Sequence, residues 1–312
     1  MEVPAGREAG HPFNRRRGRV PFLSWSQVGI TLSCALFLAL FADLPGGEPA
    51  RAAAPAFDVS APSALLIDAG SGQVLYEKNA DEKRSPASIS KVMVMLLAME
   101  AVEAGRAKLD DEVTISRTAE GMGGSQLYLK AGTSFRLQEL LEMTAIASAN
   151  DATVAITEYL AGSEAAFVDV MNRRARELGM KDTVFLDASG LPLMNDQENV
   201  STARDIGRMS LELVKKYPKV LEWTAVWTRQ FRPELPVAVN TNRLIRRYPG
   251  ADGLKTGHTE KAGYSVAATA QRGDRRLLAV VLGAENDEAR IDAASKLLHY
   301  GFNAFHQVLA VP

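Results

Sequence analysis

The sequence contains almost no cysteine and no excess of charge of either sign. Cys34 is the single cysteine among 312 residues, so the chain has no internal disulfide and no zinc or iron–sulfur site built on cysteines. The 36 basic and 37 acidic side chains give a formal net charge of −1, which excludes a strongly basic nucleic-acid-binding protein. Because 46% of the residues are hydrophobic, a disordered chain is excluded as well.

The N-terminal segment differs in composition from the rest of the chain. The apolar run Val28–Ala42 follows a cluster of arginines and precedes a stretch rich in alanine and proline. It is short for a membrane-spanning helix, which needs about 20 apolar residues. We expect residues 1–54 to be a secretory signal peptide, cleaved near Ala52 to Ala54, and the protein to be extracytoplasmic. The alternative is an uncleaved signal that tethers the chain to the outer face of the membrane.

Strand-like segments lie near both ends of the mature chain, with helical segments between them. Two short apolar runs around Gly70–Gly72 predict a β-hairpin. Ser85 is expected to be the N-cap of a helix with Pro86 at its first position. This pattern predicts one α+β unit with a helical insert. The predicted strands are 63–68, 73–77, 253–259, 264–271 and 277–283, and the predicted helices are 86–104, 137–160, 164–178, 202–216 and 288–305.

Ser88 and Lys91 have the spacing Ser-x-x-Lys, which places both on one face of a helix. A serine hydroxyl needs a nearby base to become a nucleophile. A lysine is such a base when burial or another positive charge lowers its pKa toward neutrality. The motif alone is weak, because a chain of this composition contains ~0.7 such pairs by chance. The alternative is an ordinary serine at a helix start, followed by a solvated lysine.

Two further short motifs could belong to the same site. Ser148-Ala149-Asn150 follows an apolar run, where its polar groups could relay a proton or hold a substrate amide; it could equally be a helix end or turn. In Lys255-Thr256-Gly257 the lysine offers a cation for a carboxylate, the threonine a hydroxyl, and Gly257 room for a substrate backbone. This last motif is the most specific of the three, with ~0.04 occurrences expected by chance.

The three motifs, in this order, resemble those of penicillin-binding proteins and class A β-lactamases. Over residues 57–305 the chain is similar to the serine D-alanyl-D-alanine carboxypeptidases, which are low-molecular-mass penicillin-binding proteins. The resemblance implies a β-lactamase/transpeptidase-like α+β fold: an antiparallel sheet flanked by helices, plus a helix-rich subdomain. Residues 55–312 would form the D,D-peptidase catalytic domain. The segments that carry the resemblance are Pro86–Lys91, Met122–Ser125, Ser148–Ala152, Glu177–Met180, Thr202–Asp205 and Asp252–Thr259.

The resemblance also implies roles. Ser88 would attack the carbonyl between the two terminal D-alanines of a peptidoglycan stem pentapeptide, with Lys91 as general base and Ser148 as proton relay. Lys255, close to Lys91, would help to keep Lys91 neutral. Water would then hydrolyse the acyl-enzyme, and β-lactam antibiotics would inhibit by acylating Ser88. No metal or organic cofactor is expected. The expected substrate-binding residues are Asn150, Lys255, Thr256, Gly257 and His258, with the backbone N–H groups of Ser88 and His258 as the oxyanion hole.

The chain departs from the family pattern at three places. It ends at Pro312, soon after the catalytic domain, so we expect no C-terminal β-domain and no C-terminal anchor helix. Asp187 stands where asparagine is expected, and Gln197-Glu198-Asn199 replaces a stretch that contains histidine. We expect these changes to affect substrate preference more than the core chemistry.

Other functions fit the same motifs. A D,D-endopeptidase would cut cross-links with the same residues, and a serine β-lactamase would need a second base for fast deacylation. A non-catalytic penicillin-binding sensor would be acylated without releasing a peptide. A Ser-His-Asp hydrolase that uses His258 is disfavoured, because the sequence lacks a Gly-x-Ser-x-Gly elbow.

Overall fold

A computed structural model describes residues 57–304 of the chain. The expected signal segment therefore lies outside the described residues. Within residues 57–304, no helix combines the length and the apolar character that crossing a membrane requires.

The described residues contain one large sheet and two small ribbons. The strands are β1 (Ser63–Asp68), β2 (Val74–Lys78), β3 (Glu112–Thr114), β4 (Ser134–Arg136), β5 (Thr228–Arg229), β6 (Ala238–Val239), β7 (Ala251–Thr259), β8 (Gly263–Arg272) and β9 (Arg275–Ala284). The large sheet is antiparallel, in the order β2-β1-β9-β8-β7. The ribbons are β3 with β4 and β5 with β6. The predicted hairpin and the three predicted C-terminal strands are confirmed.

Helices pack on the sheet and form a separate helical layer. A 3-10 helix (Ala87–Ser90) precedes the first α-helix. The α-helices are α1 (Lys91–Glu103), α2 (Arg117–Glu120), α3 (Leu137–Ile146), α4 (Asn150–Ala161), α5 (Glu164–Glu177), α6 (Ala203–Lys216), α7 (Val220–Thr224), α8 (Leu244–Arg247) and α9 (Asp287–Ala304).

The predicted helix starts are partly confirmed. The side chains of Ser163 and Thr202 each accept a hydrogen bond from a backbone N–H three residues on, and so cap α5 and α6. The prediction for Ser85 is wrong, because the segment begins as the 3-10 helix and its cap is Pro86. The segment 137–160, predicted to be mostly helical, contains α3 and α4, and the Ser148–Asn150 motif forms the helix end between them, which was one of its two expected roles.

Alternate residues of β9 belong to two hydrophobic cores, one on each face of the sheet. Leu278, Val280 and Leu282 pack in the core that contains α1 and the helical layer. The intervening side chains pack in the second core, beneath α9. This period of two is expected for a strand that is buried on both faces. The order of the elements, with strands near both ends and helices between them, confirms the predicted α+β unit with a helical insert. Almost every side chain of α1 is buried in the first core.

Candidate active site

Ser88 lies on the 3-10 helix directly before α1, which is called the Ser88 turn below. A Cβ at Gly190 would lie 2.0 Å from the carbonyl oxygen of Ala87, and a Cβ at Gly257 would lie 2.4 Å from that of Pro86. The lack of side chains at these two positions lets the 187–191 loop and β7 pack directly against the turn. Gly257 was expected to leave room for substrate; the space it leaves is occupied by the Ser88 turn.

Ser88 and Lys91 are in direct contact. The Lys91 ammonium Nζ lies 2.9 Å from Ser88 Oγ and 2.5 Å from the carbonyl oxygen of Ser189. Ser88 Oγ is also 3.3 Å from that carbonyl oxygen. The serine is therefore held within proton-transfer distance of an amine, as the Ser-x-x-Lys spacing predicted.

Burial lowers the pKa of Lys91 from its ordinary value of 10.5 to about 7. The side chain is fully buried, and a charged ammonium is disfavoured where water cannot solvate it. The carboxylates of Asp187 and Glu164 act in the opposite direction and limit the decrease. Burial is one of the two causes that the sequence allowed, and Lys255, whose positive charge was expected to help, is not among the causes of the lower pKa. At neutral pH a substantial fraction of Lys91 is thus neutral and able to accept a proton.

The Ser148-Ala149-Asn150 motif forms the junction between α3 and α4. Ser148 has a left-handed φ of +59°, and its buried hydroxyl has no hydrogen-bond partner among the described residues. The Asn150 amide nitrogen donates to the carbonyl oxygen of Gly123 at 2.7 Å. Its Oδ1 is buried and has no partner in the part of the chain that the structure describes. Such unsatisfied groups are costly in a folded protein, so these two oxygens are available to a ligand.

Lys255 and Thr256 are buried on β7. Lys255 Nζ donates to the carbonyl oxygen of Thr256 at 3.0 Å, and Thr256 Oγ1 donates to the hydroxyl of Thr241 at 2.7 Å. Burial lowers the pKa of Lys255 well below its ordinary value, and the positive charges of Lys91 and Arg290 add to this. Lys255 forms no ion pair within residues 57–304, so an incoming carboxylate would become its counter-ion and would favour its charged form.

His258 is exposed, and its ring packs against that of Tyr264 at a centroid distance of 4.0 Å. Among the described residues no carboxylate hydrogen-bonds the imidazole. A Ser-His-Asp arrangement requires such an orienting partner, so the geometry does not support His258 as the general base.

Asp187 holds the loop that touches both Ser88 and Lys91. Its carboxylate accepts hydrogen bonds from the backbone N–H groups of Ser189, Gly190 and Leu191, at 2.9–3.1 Å. These bonds fix the orientation of the Ser189 carbonyl group that contacts Lys91. From the sequence, Asp187 was expected only to affect substrate preference. The signal for its turn-forming role is an aspartate followed by small residues and a glycine.

Two residues of the Gln197-Glu198-Asn199 stretch contact different parts of the site. The Asn199 amide donates to Ser90 Oγ at 2.8 Å and to the carbonyl oxygen of Asp187 at 3.0 Å. The neighbouring Glu198 carboxylate accepts from the hydroxyl of Thr259, at the end of β7. Asn199 therefore supports the Ser88 turn, whereas Glu198 lies beside the strand that carries Lys255.

The Ser-x-x-Lys and Lys-Thr-Gly motifs come together in the structure. The Ser88 turn packs against β7, which carries Lys255 and Thr256. The site contains a nucleophile, a base that is partly neutral at pH 7 and a buried lysine without an ion pair in the described residues. Such a set can attack a carbonyl group next to a carboxylate-bearing leaving group. Within residues 57–304 no group of three or more histidine, cysteine or acidic side chains could hold a metal ion.

Comparison with known proteins identifies the family. The sequence profile of the D-alanyl-D-alanine carboxypeptidases, peptidase family S11, matches residues 49–286. The chain belongs to this family.

Its relatives include D-alanyl-D-alanine carboxypeptidase DacF of Bacillus subtilis, which is 42% identical over 248 residues. That match covers 78% of this chain and 63% of DacF. DacC of Escherichia coli is 36% identical over 282 residues, covering 88% of this chain and 69% of DacC. This chain therefore matches less than two thirds of the length of DacF.

Two solved structures have the same fold. Penicillin-binding protein 6B of Escherichia coli aligns with a TM-score of 0.75 and 32% identity, covering 81% of this chain and 80% of that one. Ampicillin-bound penicillin-binding protein D2 of Listeria monocytogenes aligns with a TM-score of 0.72 and 34% identity, covering 80% and 100%. The predicted β-lactamase/transpeptidase-like fold is thus confirmed.

Proposed function

We propose that this protein is a serine D,D-carboxypeptidase that removes the terminal D-alanine from peptidoglycan stem pentapeptides. The observation that carries the proposal is the 2.9 Å contact between Ser88 Oγ and a fully buried Lys91. A buried lysine with a pKa of about 7 is suited to remove the proton from a serine hydroxyl near neutral pH. Membership of the family supports the same reaction.

In the acylation step, neutral Lys91 takes the proton of Ser88 as Oγ attacks the carbonyl carbon of the penultimate D-alanine. The backbone N–H groups of Ser88 and His258 stabilise the negative charge that develops on the carbonyl oxygen; such a donor contributes about 2.7–4 kcal/mol in the transition state. The C–N bond then breaks, and the proton passes through Ser148 to the leaving amine. Free D-alanine departs, and the peptide remains bound to Ser88 as an ester.

The terminal carboxylate of the substrate binds Lys255 and the hydroxyl of Thr256. Burial makes this ion pair stronger than it would be in water, because little solvent competes with it. Asn150 accepts a hydrogen bond from an N–H of the substrate backbone through its Oδ1, which has no partner among residues 57–304. A water molecule deprotonated by Lys91 hydrolyses the ester and regenerates Ser88. β-Lactams carry a carboxylate and an acylating carbonyl in a similar relation and acylate Ser88 in the same way.

Peptidoglycan lies outside the cytoplasmic membrane, so this function requires an extracytoplasmic protein. The basic and apolar N-terminal segment supports export, with residues 1–54 as a signal peptide or an uncleaved tether and residues 55–312 as the catalytic domain.

The test is release of D-alanine from diacetyl-L-Lys-D-Ala-D-Ala by the purified protein, with Ser88→Ala as the control. We expect release by the wild type alone, together with labelling of Ser88 by fluorescent penicillin. Labelling without release would favour a sensor, and release only from a cross-linked dimer would favour an endopeptidase. Rapid turnover of the penicillin adduct would favour a β-lactamase. A folded wild-type protein with neither labelling nor release would contradict the proposal.

A further inference from the structure

An open cavity of about 400 Å³ lies beside the candidate active site. Its walls are residues 82–85, 198–200 and 261–262. The first segment leads into the Ser88 turn, and the second contains Asn199, whose amide contacts Ser90. The third segment follows the end of β7. The cavity is thus bounded by the elements that position the nucleophile and the edge strand.

Two of the three basic side chains around the cavity are already paired. Lys83 forms an ion pair with Asp182 at 3.0 Å, and Arg84 forms one with Glu82 at 2.7 Å. These pairs compensate their own charges, so they provide no net attraction for a charged ligand.

Glu198 and Lys261 are the charged cavity residues without an ion pair in the described part of the chain. Only 8% of Glu198 is exposed. Among residues 57–304 its carboxylate accepts a hydrogen bond only from the hydroxyl of Thr259, at 3.0 and 3.1 Å from its two oxygens. Lys261 is exposed at the rim. A buried carboxylate without a cation is unfavourable, so this cavity presents one unmatched anion and one unmatched cation to a ligand.

β7 runs from the proposed carboxylate-binding residues, past the Ser88 turn, to the residue that contacts the cavity. β7 is an edge strand of the sheet, and an extended peptide can lie along such an edge. The proposed carboxylate-binding residues, Lys255 and Thr256, come first. Gly257 then contacts the Ser88 turn, and Thr259, which contacts Glu198, comes two residues later. An extended peptide advances about 3.3 Å per residue, so the residue before the terminal D-Ala-D-Ala pair reaches the mouth of the cavity.

We propose that the cavity binds the end of that residue's side chain, and that the preferred end is a zwitterion. Glu198 binds its ammonium group and Lys261 binds its carboxylate. One unmatched charge of each sign matches an amino-acid head group better than it matches a simple cation or anion. The inference rests on the proposed carboxypeptidase activity and specifies which stem peptides the enzyme prefers.

The test compares three acetylated tripeptides that end in D-Ala-D-Ala and differ only in the first side chain. Diaminopimelate supplies an ammonium and a carboxylate, lysine supplies the ammonium alone, and Nε-acetyllysine supplies neither. We expect the wild type to cleave the diaminopimelate peptide with a kcat/KM about tenfold higher than the neutral one, the effect of a hydrogen bond between charged groups. Glu198→Gln keeps an acceptor for Thr259 and should abolish the preference for both ammonium peptides.

Lys261→Ala should abolish only the advantage of diaminopimelate over lysine. Lys181→Ala, an exposed lysine outside the cavity, is the matched control and should keep the wild-type ratios. Equal kcat/KM values for the three peptides in the wild type would overturn the inference. It would also be overturned if Glu198→Gln lowered all three values in proportion, since that indicates a purely structural role. If the wild type released no D-alanine from any peptide, the proposed function itself would fail.

Discussion

The burial of Lys91 predicts how acylation of Ser88 depends on pH. With a pKa of about 7, about half of the lysine is neutral at pH 7, compared with about one molecule in 3,000 at the ordinary value. We expect the rate of acylation by fluorescent penicillin to rise about tenfold per pH unit below pH 7 and to level off above it. Labelling rates measured from pH 5.5 to 8.5 test this, with Lys91→Met as the inactive control.

The same burial predicts a change in the free energy of unfolding. Because the pKa of Lys91 is lower in the folded than in the unfolded state, the unfolded chain binds one more proton between about pH 7 and 10.5. Stability therefore rises with pH in this window, by at most about 1.4 kcal/mol per pH unit. Below pH 7 the lysine is protonated in both states, and the full cost of burying its charge is present.

Lys91→Met removes this contribution while keeping an unbranched side chain. We expect the difference in free energy of unfolding, variant minus wild type, to fall by about 1 kcal/mol per pH unit from pH 7.5 to 9.5. Urea unfolding followed by circular dichroism measures it. The pKa of Lys255 is also lowered; Lys255 is present in both proteins, so only the part of its decrease that Lys91 causes differs between them. Parallel stability curves would mean that Lys91 titrates normally in the folded protein, and would refute the reasoning.

Three further changes test separate parts of the site. Asp187→Asn removes a charge that raises the pKa of Lys91, so the rise in acylation rate should move to lower pH; an unchanged or higher midpoint would contradict this. Gly257→Ala places a Cβ 2.4 Å from the Pro86 carbonyl oxygen and should slow penicillin acylation at least ~100-fold by displacing the Ser88 turn, whereas Gly123→Ala adds a methyl group where no atom lies within 4 Å and should not. Ser148→Ala removes the proposed proton relay and should slow acylation ~100-fold. Because its hydroxyl has no partner within residues 57–304, the melting temperature should change little. A large loss of stability would indicate a structural role.

The C-terminal strands of the sheet were predictable because their apolar runs are separated by residues that favour tight turns. The strands that became β8 and β9 are apolar runs separated by Gly273, whose φ of +56° suits a glycine in a tight turn. The residue types at the break between α3 and α4 allowed a helix end or turn but did not require one. Residues on both sides of Ser148 continue an apolar helical pattern, which does not indicate its left-handed φ.

The residues of the candidate site that act through their side chains were predictable from the sequence. Those that act through backbone groups were not. Ser88, Lys91 and Lys255 stand in short motifs whose residue types the reaction requires. Ser189 contacts Lys91 through its backbone carbonyl oxygen. Every residue type has this group, so the identity of residue 189 does not indicate the contact. The 3-10 conformation of the Ser88 turn likewise has no signal in the motif, and the two glycines that pack against the turn lie far from it in the sequence.

The two buried lysines of the site influence each other's ability to carry a charge. Each is almost completely inaccessible to solvent, and repulsion by Lys91 lowers the pKa of Lys255 further. Both lysines together are therefore poorly able to carry charge before substrate binds. A substrate carboxylate beside Lys255 favours the charged form of that lysine, but it brings a negative charge of its own, so the net charge beside Lys91 changes little. A substrate amidated at its C-terminus should therefore lose mainly affinity, while the pH dependence of acylation that the burial of Lys91 causes stays the same.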